Sequence, residues 1–334
     1  MKKLRFALVG CGNIGQRHAK LIAAAGELTA VCDPDPDRFE NLTSEYGSKS
    51  FRSLEELLQN ENGLDVAVIC TPNYLHAEQA ITCLYSGVHV LCEKPMAINT
   101  TDGENMLKAA NSANKKLFVV QQNRYNAPVE AVKKLLDENG LGKIHAFQVN
   151  CFWNRTAAYY KSPWKGKKEL DGGILYTQFS HFIDILIWFL GEAISIRPAL
   201  GNFLLQDVVE MEDTGFAIIK MQGGATGTLN YTVTSFLKNM EGSITLFGEK
   251  GTVKIGGQYL NTLEYFSVED RQPPALPASA GANTYGFYQG SMSNHDIVYK
   301  NLLGAFDNKP FNLVEGSEAL KAVQFIEQLY LADS

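Results

Sequence analysis

Along the first third of the chain, short apolar runs rich in β-branched residues alternate with stretches whose apolar positions recur every three or four residues. That alternation is how a parallel sheet with crossover helices is written. It predicts strands over residues 5–9, 28–32, 66–70, 89–92 and 117–120, and helices over 15–25, 37–46, 53–59, 74–86 and 101–114. Right-handed crossovers then produce a doubly wound sheet, so residues 1–122 read as an α/β Rossmann domain. Past Lys143 strands follow strands, at 144–153, 214–221, 225–234, 242–248, 251–255 and 260–266, with Gly223-Gly224 and Gly256-Gly257 as turn pairs. Residues 123–334 therefore read as an α+β domain with a large, mostly antiparallel open sheet. A strongly apolar helix is expected over 173–190 and a long loop over 273–290. Helices at 293–306 and 316–332 close the chain, and the last of them can pack back on the first domain.

The length of 334 residues suits two domains, and 45% hydrophobic with 20% charged residues excludes wholesale disorder. Thirty cations against thirty-six acids leave a net charge of −6. No global positive field draws the chain to nucleic acid or anionic lipid, and any phosphate must be gripped locally. The basic start Met1–Arg5 is followed by too short an apolar run for a signal peptide. Thr177, Gln178, Ser180, His181 and Asp184 speak against a membrane span in the most apolar stretch. Six scattered cysteines read as reduced, buried thiols of a cytoplasmic protein.

Gly10-Cys11-Gly12-Asn13-Ile14-Gly15 follows the first strand and opens a helix. Its glycines stand where a tight turn lets backbone approach a pyrophosphate at a helix N-terminus. Asp33, ending the second strand, offers a carboxylate to ribose hydroxyls and repels a 2′-phosphate, which selects NAD over NADP. A glycine turn made for packing and a plain Asp33-Pro34-Asp35 turn are the competing readings. Thr71, Pro72 and Asn73 lie on the same strand edge, as cofactor contacts, as a helix start capped by Asn73, or as both. His76 just beyond fits a cofactor contact or a satisfied helix histidine. Glu93-Lys94-Pro95 brings a carboxylate and an ammonium to that edge; an ordinary loop with Pro95 starting a helix is the alternative.

Thr177, His181, Asp184 and Trp188 recur at i, i+4, i+7 and i+11 of the helix expected over 173–190, a single stripe with three polar groups. Histidine, with an ordinary pKa of about 6.5, suits removal of a proton from an alcohol; a core histidine tied to Asp184 fits the same spacing. Arg155 to Lys168 carries five cations and no acid, interleaved with Tyr159, Tyr160 and Trp164. This is either a local anion trap with rings for stacking or a solvated basic loop. No Cys/His cluster has metal-ligand spacing, so no metal is expected.

Three segments, Gly12-Asn13-Ile14-Gly15-Gln16-Arg17-His18, Glu93-Lys94-Pro95-Met96 and Phe247-Gly248-Glu249-Lys250-Gly251-Thr252, resemble the glucose-fructose oxidoreductase/inositol dehydrogenase (Gfo/Idh/MocA) family. The resemblance covers essentially the whole chain. It implies an NAD-dependent oxidoreductase in which Lys94, often before a cis proline bond, lies beside the reacting carbinol and His181 acts as acid/base. Cofactor contacts are implied at Gly10, Gly12, Asn13, Ile14, Asp33, Thr71, Pro72, Asn73, His76, Glu93, Lys94, Gln122 and Trp164. Inositol-dehydrogenase-like members carry an aspartate one turn before the histidine, where this chain has Thr177. Tuning of His181 then falls to Lys94, Asp184 or the substrate.

The segments Gln122-Asn123-Arg124-Tyr125-Asn126, Ser162-Pro163-Trp164-Lys165-Gly166 with Leu170-Asp171-Gly172-Gly173, and Tyr288 through Asp296 are similar to one branch of that family. This branch oxidises C3 of UDP-N-acetylglucosamine or its uronic acid, making a 3-keto sugar for later transamination in surface-polysaccharide pathways. On that resemblance the UDP-sugar meets Arg124, Tyr125, Asn126, Lys161, Asp171, Thr177, Gln178, Ser291, Asn294 and His295. By spacing alone, Ser293 to Asp296 is a helix N-cap cluster. Lysines at 165, 167 and 168 depart from the branch's pattern. The resemblance also implies a homodimer or homotetramer formed through the C-terminal sheet. A dehydrogenase of a free sugar or inositol, and a non-catalytic NAD- and sugar-sensing regulator, are the rival readings.

Overall fold

The computed structural model describes residues 3–277, 281–285 and 288–333; the side chains of 282–285, 288, 289 and 291 lie outside the described set. The chain divides into two units, Met1–Gln121 with His295–Val323 and Gln122–Asn294 with Gln324–Ser334.

In the first unit β1 (Arg5–Val9), β2 (Glu27–Cys32), β3 (Lys49–Phe51), β4 (Val66–Ile69), β5 (His89–Cys92) and β6 (Leu117–Val119) lie parallel in the order β6-β5-β4-β1-β2-β3. Val314–Glu315 pairs antiparallel on the β6 edge. The order reverses between β1 and β4, the crevice where ligands of such sheets bind. Phe6 to Val9 and Val66 to Ile69 are at most 1% exposed along their whole length, because helices cover both faces. Those helices are Asn13–Ala25, Glu40–Tyr46, Leu54–Asn60, His76–Tyr85 and Thr100–Ser112. Ser53 and Asn99 cap two of them, accepting from the amides of Glu56 and Asp102. The helix start expected at Asn73 differs. A 3₁₀ turn covers Asn73–Leu75, Pro72 precedes it as the capping position, and Asn73 lies inside the turn, buried.

The second unit is built on β7 (Ile144–Phe152), β8 (Ala193–Gly201), β9 (Thr214–Met221), β10 (Thr226–Thr232), β11 (Glu241–Gly248), β12 (Gly251–Gly256) and β13 (Thr262–Val268). Their order is β13-β12-β11-β7-β10-β9-β8, antiparallel throughout except β7 with β10. The pattern did not predict β8, because Pro198 interrupts it; as an edge strand it loses no ladder bond that matters. The helix Ala127–Asp137 was also not expected, although Pro128 stands in its first turn and Val129, Val132 and Leu135 are its buried face. Within the expected long loop, Ala282–Tyr285 and Tyr288–Met292 pair as two strands.

The main departure concerns the helix expected over 173–190. Lys168–Asp171 forms one α-turn, Gly172 and Gly173 break it at φ +86° and +132°, Leu175–Phe179 is a π turn, and Ser180–Leu190 is α-helical. A π turn closes its hydrogen bonds over five residues rather than four, so Thr177 no longer stacks one turn above His181. Within Lys168–Leu190 an 18-residue window has the mean hydropathy of a membrane-crossing helix, at 1.3, yet 72% of that window is buried within the fold. Phe179 and Phe182 pack with Trp153, and Phe179 also with Tyr231, on the inner face of the sheet. On the other face Phe216, Ile218 and Tyr265 are exposed. All six cysteines are free and buried.

Candidate active site

Chain geometry at the end of β1 explains its glycines. At Gly10, φ is +91° and a Cβ would fall 2.7 Å from the Cys70 carbonyl; at Gly15 it would fall 2.0 Å from the Gly10 oxygen. These two close the turn. A Cβ on Gly12 would meet nothing nearer than Arg38 Nη1 at 4.0 Å, so the space over the helix N-terminus stays open. The first amides of that helix, at Asn13 and Ile14, have no acceptor within the helix, as a pyrophosphate site requires. Asp33, 4% exposed, accepts from Cys11 N at 2.9 Å and from Asp35 N at 3.0 Å. It therefore makes the plain turn and also fixes a carboxylate beside the glycine loop.

After β4, Thr71 Oγ1 bonds Gln79 Oε1 at 2.6 Å. His76 is buried, with Nδ1 2.7 Å from the Pro95 carbonyl and Nε2 2.8 Å from that of Thr71. Its ring ties the turn after β4 to the turn after β5. The Lys94–Pro95 bond is cis, and Lys94 is half-buried between buried neighbours. Behind it, Glu93 Oε2 accepts the Lys94 amide at 3.1 Å, while Oε1 lies 2.9 Å from His18 Nε2 and 3.5 Å from His295 Nε2. His18 Nδ1 is 2.7 Å from the Tyr299 hydroxyl. Burial alone would push the Glu93 carboxyl up, but the hydrogen bonds from His18 and His295 outweigh it and hold the group well below the ordinary carboxylate range. Burial lowers the His295 pKa, against the pull of Glu93. Donor atoms of His18, Glu93 and His295 lie within 4.8 Å of one another, the one group among the described residues with the make-up of a cation site. Their mutual contacts account for that spacing. Glu93, expected at the cofactor, and His295, expected at the sugar, contact each other, and Glu93 also holds the Lys94 amide.

In the second unit several expected sugar contacts are committed to one another. Arg124 forms a two-pronged pair with Asp184, both bonds at 2.7 Å, and lies over the Trp188 ring at 4.8 Å. Asn126 donates to the Tyr259 and Leu260 carbonyls and accepts from Asn294 at 2.7 Å. Gln178 accepts from Arg155 at 2.8 Å and donates to the Tyr159 hydroxyl at 2.6 Å. Arg155 is buried and so no part of a surface trap, whereas Lys161, Lys167 and Lys168 are exposed and Lys165 sits 3.7 Å over the Tyr159 ring. Asp171 accepts from Gly166 N at 2.7 Å and from the Thr177 hydroxyl. Tyr125 is buried, Trp164 half-buried, and His181 only 1% exposed. The side chain of Ser291 lies outside the described residues. Asn123, quoted only within the segment 122–126, was given no role from the sequence. It is 1% exposed, beside Gln122, and neither its amide nitrogen nor its oxygen has a hydrogen-bond partner. Its place just past the end of β6 was the available signal.

Residues 4–121 match the Gfo/Idh/MocA oxidoreductase family's NAD-binding Rossmann fold, and residues 129–254 match that family's C-terminal domain. The chain belongs to the Gfo/Idh/MocA oxidoreductases. Among solved members, the WlbA dehydrogenase from Chromobacterium violaceum, in complex with NADH and UDP-GlcNAcA, is 34% identical at a TM-score of 0.89, over 100% of this chain and 94% of that one. The WlbA dehydrogenase from Bordetella pertussis, with the same two ligands, is also 34% identical, at a TM-score of 0.88 over 99% and 97%. Myo-inositol 2-dehydrogenase of Thermotoga maritima is 24% identical over 75% of this chain and 74% of its own length. As in the family at large, the first domain is an NAD-binding one and the activity is that of a sugar-alcohol oxidoreductase.

Proposed function

We propose that this oxidoreductase uses NAD to oxidise C3 of a UDP-N-acetylhexosamine or its uronic acid, releasing a 3-keto nucleotide sugar. One observation carries the reading: 34% identity along the whole chain to two dehydrogenases solved with NADH and UDP-GlcNAcA. The exposed lysines 161, 167 and 168 suit a diphosphate. Residues 1–122 hold the cofactor, with its phosphates on the Asn13 and Ile14 amides and its ribose at Asp33. NAD held there would supply the hydride acceptor for the carbinol carbon. His181 accepts the hydroxyl proton, and the Lys94 ammonium stabilises the charge growing on the oxygen. Asn123, buried with donor and acceptor both unspent, takes a hydroxyl of the sugar. Residues 123–334 bind the sugar and join copies of the chain into a dimer or tetramer through the open sheet face, where Phe216, Ile218 and Tyr265 are exposed. A cytoplasmic place in surface-polysaccharide synthesis follows from the same reading, and six free buried thiols suit it.

A dehydrogenase of a free polyol is the second reading, favoured by the Thermotoga inositol dehydrogenase. The test is NADH formation with UDP-GlcNAcA, UDP-GlcNAc, myo-inositol and glucose 6-phosphate in parallel. Turnover on the nucleotide sugars is expected. Turnover confined to the free polyol or sugar phosphate supports the second reading, and none with any alcohol supports the non-catalytic regulator.

A further inference from the structure

Glu212, in the loop before β9, and Tyr330, in the last helix Gly316–Ala332, are 118 residues apart in the chain and bonded in the fold. The Tyr330 hydroxyl donates to Glu212 Oε1 at 2.7 Å and accepts the Leu175 amide at 3.2 Å. From β10 the Tyr231 hydroxyl donates to the same carboxylate oxygen at 3.0 Å. Leu175 is the first residue of the π turn, so its amide is one that a helix start leaves without an internal acceptor. Gly173 is shaped for this contact: a Cβ there would lie 2.2 Å from the Tyr330 hydroxyl oxygen. Glu212 is 7% exposed and Tyr231 fully buried. Tyr160 and Asp333 are the other titratable groups that act electrostatically with Glu212. Glu212, Tyr231 and Tyr330 had no part in the sequence reading.

We propose that Glu212, Tyr231 and Tyr330 are positioning residues for the proton step, latching the start of the π turn that carries Thr177 and runs directly into His181. The inference rests on the reading of His181 as the proton acceptor. A wide turn is rare and needs support. Without the Tyr330 hydroxyl at Leu175 the turn relaxes toward α geometry, which rotates His181 against everything upstream of it. Asp171 fastens Thr177 from one side; the tyrosine latch fastens the turn from the other.

The test is Tyr330→Phe in the full-length enzyme, assayed with NAD and the alcohol that turns over fastest in the panel above. Phenylalanine keeps the ring against Tyr176 and removes only the hydroxyl. We expect kcat to fall about tenfold, as small misplacements of a reacting group do, with the KM for NAD unchanged and the acid limb of the kcat pH profile displaced. Tyr231→Phe and Glu212→Gln should move the same two readouts less, and Tyr231→Phe stands in should Tyr330→Phe fail to fold. Variants that lose only thermal stability, with wild-type kcat and pH profile, overturn the latch. His181→Asn separates the two ideas. Full turnover in His181→Asn removes the histidine reading itself; loss of turnover there, beside wild-type kcat in the tyrosine variants, removes only the latch.

Discussion

At the carboxyl edge of the first unit's sheet, every candidate side chain follows its strand by a few residues. Gly10 and Gly12 come after β1, Asp33 after β2, Thr71 after β4 and Lys94 after β5. In the second unit the helix that carries His181 and the turn before it are held by side chains from far along the chain, Arg124 on Asp184 and Tyr330 on Leu175. Parallel strands deliver their ends to one edge through backbone geometry alone. A helix buried on all sides has no such edge, and the polar groups it carries need partners brought in by the rest of the fold. Function should therefore separate from stability in the first region and remain coupled to it in the second.

The largest expected effect probes that coupling. Asp184→Ala leaves the Arg124 guanidinium buried without its carboxylate, where the two side chains are 6% and 2% exposed. Breaking such a pair costs about 3–5 kcal/mol, measurable by urea unfolding. A loss under about 1 kcal/mol would mean that the helix is not held by its polar network. Lys94→Ala is the counterpart in the first region. Turnover should drop at least ~10²-fold while NAD affinity and melting temperature hardly change. Equal weakening of NAD binding and of rate would remove Lys94 from the proton step.

The contrast also explains what could be read in advance. Strand ends, the glycine turn and the Glu93-Lys94-Pro95 corner are local, so period and spacing reveal them, as they reveal the two-domain α/β plus α+β architecture. The π turn has the same apolar composition as an α-helix, and nothing in the periodicity of 173–190 marks one wider turn. β8 hid behind Pro198. Arg124, Asn126 and Gln178 were expected at the sugar from the family resemblance; their hydrogen-bond partners Asp184, Asn294 and Arg155 lie 60, 168 and 23 residues away, beyond what local spacing shows. Asn123 was quoted without a role because being buried without a side-chain partner is a property of the folded chain.

Acid and base sharpen the same comparison. Burial raises the Glu212 carboxyl from 4.5 to about 7, with the Tyr330 and Tyr231 hydroxyls opposing the shift. A carboxyl raised in the folded state contributes stability that is complete below its unfolded pKa and is lost as pH climbs through about 7. Between pH 5 and 8 this amounts to about 2–3 kcal/mol, so Glu212→Gln should flatten the fall in melting temperature over that window. An unchanged slope would show that Glu212 keeps its charge across the range. Asn123→Ala is the smallest effect expected. The sugar KM should rise about fivefold, roughly 1 kcal/mol, while stability holds or improves as an unpaired buried amide is removed. An unchanged KM would exclude it as a ligand contact.

The most direct measurement follows the hydride itself. With NAD and UDP-GlcNAcA carrying deuterium at C3, mass spectrometry of the reduced cofactor should find one deuteron in each NADH, and NADH formation should slow relative to unlabelled sugar. Reduced cofactor that carries no deuterium, or no reduction at all beside brisk turnover of a free polyol, would contradict the account.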